Sequence, residues 1–303
     1  MDSNALINIL ARVTLFEMMV AIGLGVTVAD LAGVARNRRV LILAALANYL
    51  CVPALAVALL LLFKPHSADP VNFPLIAAGF LIAAVCPGAP YGPPFTGMAK
   101  GNVVAAVGLM VVLASSSALV APALLRLLLP LVSGSDNVEV NAAKMVGTLL
   151  VAQFLPLCVG IAIRRWRPSL AARLRKPANL VSVLLNLAML GLIVTVQFEM
   201  LMRTPPRAFA GVVALVFASL AVGWLLGGPG RDNRTAMAMA TSVRNVGVSL
   251  VIATVSFPGT AAVTAATVFA IFQTLLMALV ALSWGRLISV SARREKALVA
   301  AKL

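Results

Sequence analysis

Acidic residues are scarce in this 303-residue chain, with 9 Asp and Glu against 24 Lys and Arg. Charged residues of both signs make up only 11%, and 62% of the chain is hydrophobic. A soluble domain carries about a quarter charged residues, so this composition excludes a water-soluble fold and leaves an all-α polytopic membrane protein. Aromatics are few as well, at 6%, which removes the stacking platform that single-stranded nucleic acid needs. The net charge of +15 therefore points to no nucleic-acid partner. Its basic residues lie between apolar runs, where the positive-inside rule places them. Cys51, Cys86 and Cys158 stand far apart in apolar settings, and His66 is the single histidine. Neither a disulfide framework nor a metal-ligand spacing follows, and no metal or other cofactor is expected. An intramembrane enzyme lacks a convergent acid, base or metal set. The opening MDSN has no basic n-region, and the apolar run after it exceeds a signal h-region, so that run is expected to remain as a span.

What is present is a series of long apolar runs. A span needs about 20 apolar residues, and nine runs qualify: roughly 5–34, 40–63, 73–98, 102–131, 141–164, 178–202, 207–228, 234–257 and 260–288. Short polar connectors separate them, among them ARNRR at 35–39, KPHSADP at 64–70, SGSDNVEV at 133–140, RRWRPSLAARLRK at 164–176 and RTPPR at 203–207. No run of residues fits a soluble domain, so 1–303 reads as one transmembrane domain. The basic connectors at 35–39 and 164–176 and the basic tail belong inside, the acidic connector at 133–140 outside. This places the amino terminus outside and the carboxy terminus in the cytoplasm, in a cytoplasmic (inner) or plasma membrane. Arg203 and Arg207 run weakly against that rule. Spans 1–4 and 6–9 would then be inverted copies, with span 5 as the link.

Two of these runs are interrupted. CPGAPYGPPF, from Cys86 to Phe95, holds four prolines and two glycines, which a regular helix does not tolerate. TAMAMATSVRNVGVSL, from Thr235 to Leu250, turns polar at Thr241–Asn245. Both breaks fall in the third span of each group, and interrupted helices at matching positions of inverted halves point to a transport site near the midplane. The freed backbone groups must line a cavity or protein, and the amino end of a second half-helix favours an anionic group. Candidate binding or gating residues are Pro87, Gly88, Tyr91 and Gly92 in the first break and Thr241, Ser242, Arg244 and Asn245 in the second. Arg244 in a hydrophobic span is expensive. It either meets a substrate carboxylate or sulfonate through its planar fork or forms a structural ion pair, for which Glu17 in the first span is the expected partner. Glu199 is the other acid well inside a span. Asn48, just before Pro53, offers an amide to a ligand or caps a backbone break. Ser115–Ser117 are expected to bond back to helix carbonyls or to let helices approach, and Gln153 and Gln197 to join helices.

These motifs together resemble the bile acid:sodium symporter family, within the group that includes arsenite efflux permeases and auxin-type carriers. GLGVTVADL at 23–31, CPG at 86–88 followed by MAKGNV at 98–103, and TAMAMATSVRNVG at 235–247 carry the resemblance, which covers nearly the whole chain. It implies a core domain in which two broken helices cross beside the substrate cavity, next to a panel domain. It also implies sodium ligands, and here the chain departs. An acid is replaced by Ala240, a glutamine by Arg244, Ser-Asn by Gly92-Pro93, and hydroxyl residues by Ala106 and Met110; Asn245 and Asn48 match. The resulting expectation is a secondary carrier of a small organic anion in which Arg244 replaces the bound cation and sodium is not the driving ion. The alternatives are a metalloid permease using the Cys86 thiolate and a sodium-coupled organic-anion symporter with backbone ligands. The remaining partner is the lipid bilayer.

Overall fold

The computed structural model describes residues 3–63, 72–133, 142–196, 198–202 and 206–300, and every element among them is helical. The loop with His66, the acidic connector at 134–140, Gln197 and Arg203 lie outside the described residues. Helix α1 (Ser3–Gly25) ends at a glycine, and a capping box at Thr27 and Asp30 starts α2 (Val28–Arg36). The Thr27 hydroxyl accepts from the Asp30 amide at 3.1 Å, and the Thr27 amide donates to Asp30 Oδ2 at 2.9 Å. The Thr27 hydroxyl also donates to Asp30 Oδ2 at 2.6 Å, and this bond, with the one from the Thr27 amide, holds the Asp30 carboxyl below its usual pKa. The expected run 5–34 is therefore two helices, because T-x-x-D satisfies the orphan donors of a new amino end.

The second span comprises α3 (Arg38–Ala45), a π-helical turn at Leu46–Cys51 and α4 (Val52–Leu62). Pro53 has no N–H to offer the carbonyl four residues back and its ring crowds that carbonyl. The chain widens instead, and the Val52 amide reaches back to Ala47 O. The third span splits into α5 (Asn72–Ala84) and α6 (Gly92–Met98), and α7 (Val103–Ser133) follows. Helix resumes at Gly92 despite Pro93 and Pro94, since a first helical turn has no amide bonds for proline to lose. The break is thus shorter than the sequence implied. The fifth span repeats the device of the second: α8 (Ala142–Leu149), a π-helical turn at Leu150–Phe154 and α9 (Leu155–Trp166), with Pro156 just beyond the turn.

Helix α10 (Pro168–Val196) begins inside the basic connector expected at 164–176, so Arg173, Arg175 and Lys176 are helical residues. A short α11 (Phe198–Met202) and α12 (Pro206–Leu226) lead to the second broken span, α13 (Arg231–Ser242) and α14 (Val246–Ser256). The last helix, α15 (Ala261–Ala300), runs well past the expected end at 288. Among the described residues, eight helices or helix pairs are long and apolar enough to cross a membrane; the ninth expected span is α5 with α6, each too short alone.

Packing divides the helices into two groups. Helix α1 packs along α9 and α10. The approach is close because Gly23 and Gly160 face each other: a Cβ on Gly160 would stand 2.4 Å from Val20 O. The other group comprises α4, α5, α6, α7, α12, α13, α14 and α15. Within it α5 touches α14 and α6 touches α13, so the two broken spans cross at their breaks. The Arg231–Ser256 span is enclosed by protein, while the other long spans keep lipid-facing sides. Its polar residues are thereby kept out of hydrocarbon.

Candidate functional site

Breaking α13 after Ser242 frees groups that a continuous helix would pair. In an unbroken helix the Asn245 amide would donate to Thr241 O. Here it donates to Cys86 O in the other break, at 2.7 Å. The Asn245 side chain ties the breaks a second time, donating to Gly88 O at 3.1 Å while its Oδ1 caps α14 by accepting from Val248 N at 3.2 Å. Gly88 has φ +80°, and a Cβ there would stand 2.3 Å from Ala114 N on α7. Only glycine combines that left-handed backbone with that approach.

Arg244 lies between the breaks, 1% exposed. Its Nη1 donates to Thr241 O at 2.9 Å and to Asn48 Oδ1 at 2.7 Å, and its Nη2 donates to Ala84 O. Asn48 O lies 3.5 Å from Nη2. Ala84 and Thr241 belong to the last turns of α5 and α13, whose carbonyls have no intrahelical donor. One guanidinium therefore caps both first half-helices. Each carboxy end carries roughly −0.5 of a charge, so two together match one arginine. Gln273 on α15 clamps the Arg244 backbone, accepting from its N at 2.8 Å and donating to its O at 3.2 Å. Arg244 Nε has no partner among the described residues.

The expected ion pair with Glu17 is not what holds Arg244. Among the described residues, its side-chain hydrogen bonds go to neutral oxygens, and Glu17 instead accepts from Ser182 of α10. Asn48 completes the cradle from the π-helical turn, its Nδ2 donating to Ala44 O at 3.0 Å and to Thr241 Oγ1 at 3.4 Å. Ser242 turns away, towards Ala238 O at 2.9 Å and the Met277 sulfur at 3.4 Å. Cys86 is fully buried. Ser116 and Ser117 bond back to α7 carbonyls at 2.8 and 2.7 Å. Gln153, in the second π-helical turn, joins the α8–α9 span to α7 by donating to Ala114 O and to Ser117 Oγ.

Beside the crossing lies a cleft of about 280 Å³ between α1 and α10 on one side and the first break, α6 and α7 on the other. Tyr91 and Pro93 line it; Gly92 does not. Met18, also in its wall, rests against Gly247 at the start of α14, which links the cleft to the Arg244 junction. Sequence reasoning missed the α10 wall, formed by Arg175, Asn179, Ser182 and Val183. The signal was a polar stripe at i, i+4, i+7 and i+11, namely Arg175, Asn179, Ser182 and Asn186, along one face of the helix.

Residues 12–204 match the Sodium Bile acid symporter family. The chain belongs to this family. It is 24% identical over 284 residues to the uncharacterized sodium-dependent transporter YocS of Bacillus subtilis, covering 90% of this chain and 83% of that protein. It is 27% identical over 209 residues to a probable sodium/metabolite cotransporter, BASS2, of Oryza sativa subsp. japonica, covering 69% of this chain and 47% of that protein. A member of this family with eight membrane-length helices is an integral membrane protein and a secondary transporter, not an enzyme.

Proposed function

We propose that this transporter carries a small organic anion and does not use sodium at the crossing of its broken helices, where Arg244 takes the place of the cation. The observation that supports this is the double cap. The guanidinium already engages the last-turn carbonyls of α5 and α13 together with the Asn48 amide oxygen. A sodium ion does not fit beside it. At ~4 Å from the guanidinium it would be opposed by about 4 kcal/mol at an effective dielectric near 20, a loss of about a thousandfold in affinity. The side chains at the replaced ligand positions, Ala240, Gly92, Pro93, Ala106 and Met110, supply no oxygen to offset it, and the oxygens of the two matching residues, Asn48 and Asn245, already accept from Arg244 and from Val248 N. The anion sits in the cleft beside the crossing, where Met18 connects its wall to the amino end of α14 and that end's partial positive charge. The inverted relation of spans 1–4 to spans 6–9 accounts for two broken helices meeting head to head, and alternating access follows from moving α1, α9 and α10 against the rest.

The relatives' names carry sodium, and the competing reading is a symporter with backbone ligands elsewhere. Proteoliposome uptake of radiolabelled small carboxylates, with sodium replaced by choline, separates the two. Uptake unchanged by the replacement supports the proposal; uptake that rises steeply with sodium sinks it.

A further inference from the structure

We infer that Arg175 is the anion-binding cation of the α10 wall, and that it anchors the carboxylate of a substrate much smaller than a steroid. The inference rests on the organic-anion reading above and adds the residue that selects the charge. Six basic residues crowd the stretch from Arg164 to Lys176, and a positive-inside role explains them as a group. Arg175 differs from the other five because it alone lines the cleft. The basic run begins in the last turn of α9, and α10 continues it as helix, which sets Arg175, a solvent-exposed side chain, at the wall of the cleft beside Gly25 and leaves Arg173 and Lys176 on other faces.

The local geometry suits a carboxylate. Gly25, at the end of α1, leaves room for the guanidinium: a Cβ there would meet Arg175 Nε at 3.2 Å and Cζ at 3.6 Å. Asn179 is one turn further along the same face, so its amide and the guanidinium fork address one point. Among the described residues, neither side chain spends its donors on a protein acceptor. Ser182, two turns from Arg175, is already committed to Glu17. The acid end of the stripe thus repels an anion and the arginine end receives it. Met18, Ile22 and Met110 offer apolar contact for the remainder of the ligand. A volume of about 280 Å³ equals roughly nine waters at ~30 Å³ each, room for an acid of about ten non-hydrogen atoms.

The test uses the purified full-length protein and titrates thermal stabilisation by C3–C6 carboxylates, by the corresponding neutral amides and by cholate. Stabilisation by at least one small carboxylate, and not by its amide or by cholate, is the expected pattern. Arg175→Gln should weaken that carboxylate by about ten- to a hundredfold, Arg175→Lys by less, and Arg173→Gln by under about twofold. Ligand-free melting temperatures within a few degrees of the parent show that the variants fold. Parent-like affinity in Arg175→Gln, with loss in Arg244→Gln, overturns the assignment and leaves the organic-anion reading standing. Tighter binding of cholate than of every small acid overturns the size argument. A parent stabilised by no carboxylate overturns both.

Discussion

If Arg244 is a tethered cation, removing its side chain should create a site for a free one. Arg244→Ala strands Asn48 Oδ1, Thr241 O and Ala84 O, which the guanidinium now satisfies. A buried acceptor left without a donor costs about 1–3 kcal/mol. Three of them amount to roughly 3 kcal/mol at the least, a large share of a typical 5–15 kcal/mol. The same change removes the positive charge and leaves two helix carboxy ends facing a hole lined with oxygen. Sodium at about a hundred times its dissociation constant would return about 2.7 kcal/mol, or about 5–10 °C in melting temperature for a chain of this order of size. The assay is a thermal melt of parent and variant in detergent, in sodium chloride and in choline chloride of equal ionic strength. The parent should melt alike in both salts, and the variant should recover only in sodium. Arg244→Met, which fills the hole with an apolar chain, should be destabilised and stay so. A variant that melts identically in both salts refutes the reasoning, as does a parent that gains as much from sodium as the variant.

Gly88→Ala should disrupt the junction, since its φ of +80° and the 2.3 Å approach to Ala114 N leave no room for a methyl group; uptake should be lost, and parent-like uptake would show that the breaks tolerate separation. Thr27→Ala should cost about 1 kcal/mol as a lost cap, read as a lower melting temperature. Because the Thr27 bonds lower the Asp30 pKa, their contribution is present above the ordinary value of 3.8 and is lost as pH falls through the lower folded value. The parent–Thr27→Ala difference should therefore be constant from pH 7 to pH 5 and shrink only below the ordinary carboxylate range; a difference that vanishes near pH 6 would contradict it. Single cysteines at Ser135 and Ser169 test orientation in intact cells: an impermeant thiol reagent should label the first and spare the second, and the reverse pattern would invert the topology.

The membrane-spanning architecture was legible in the sequence because it follows from solvent. Long apolar runs, polar connectors and a Pro-rich interruption report which backbone groups hydrocarbon forbids, and those are local properties. The Thr27–Asp30 box was equally local and could have been read from T-x-x-D. The positions of both breaks were also legible, as was an arginine at the second that had to be kept from lipid. Its partner was not. Arg244 meets Ala84 and Asn48 across 160 and 196 residues of chain, and those partners are a backbone carbonyl and an amide whose identities announce nothing. Glu17 drew attention as one of two acids well inside an apolar run, yet two helix ends supply the same charge through oriented peptide dipoles. Those dipoles exist only once both helices stop at the same place. Arg175 shows the same limit from the other side. Composition assigned it to a basic connector, and only the continuation of α10 through that connector, packed along α1, turned one of six basic residues into the wall of a cleft.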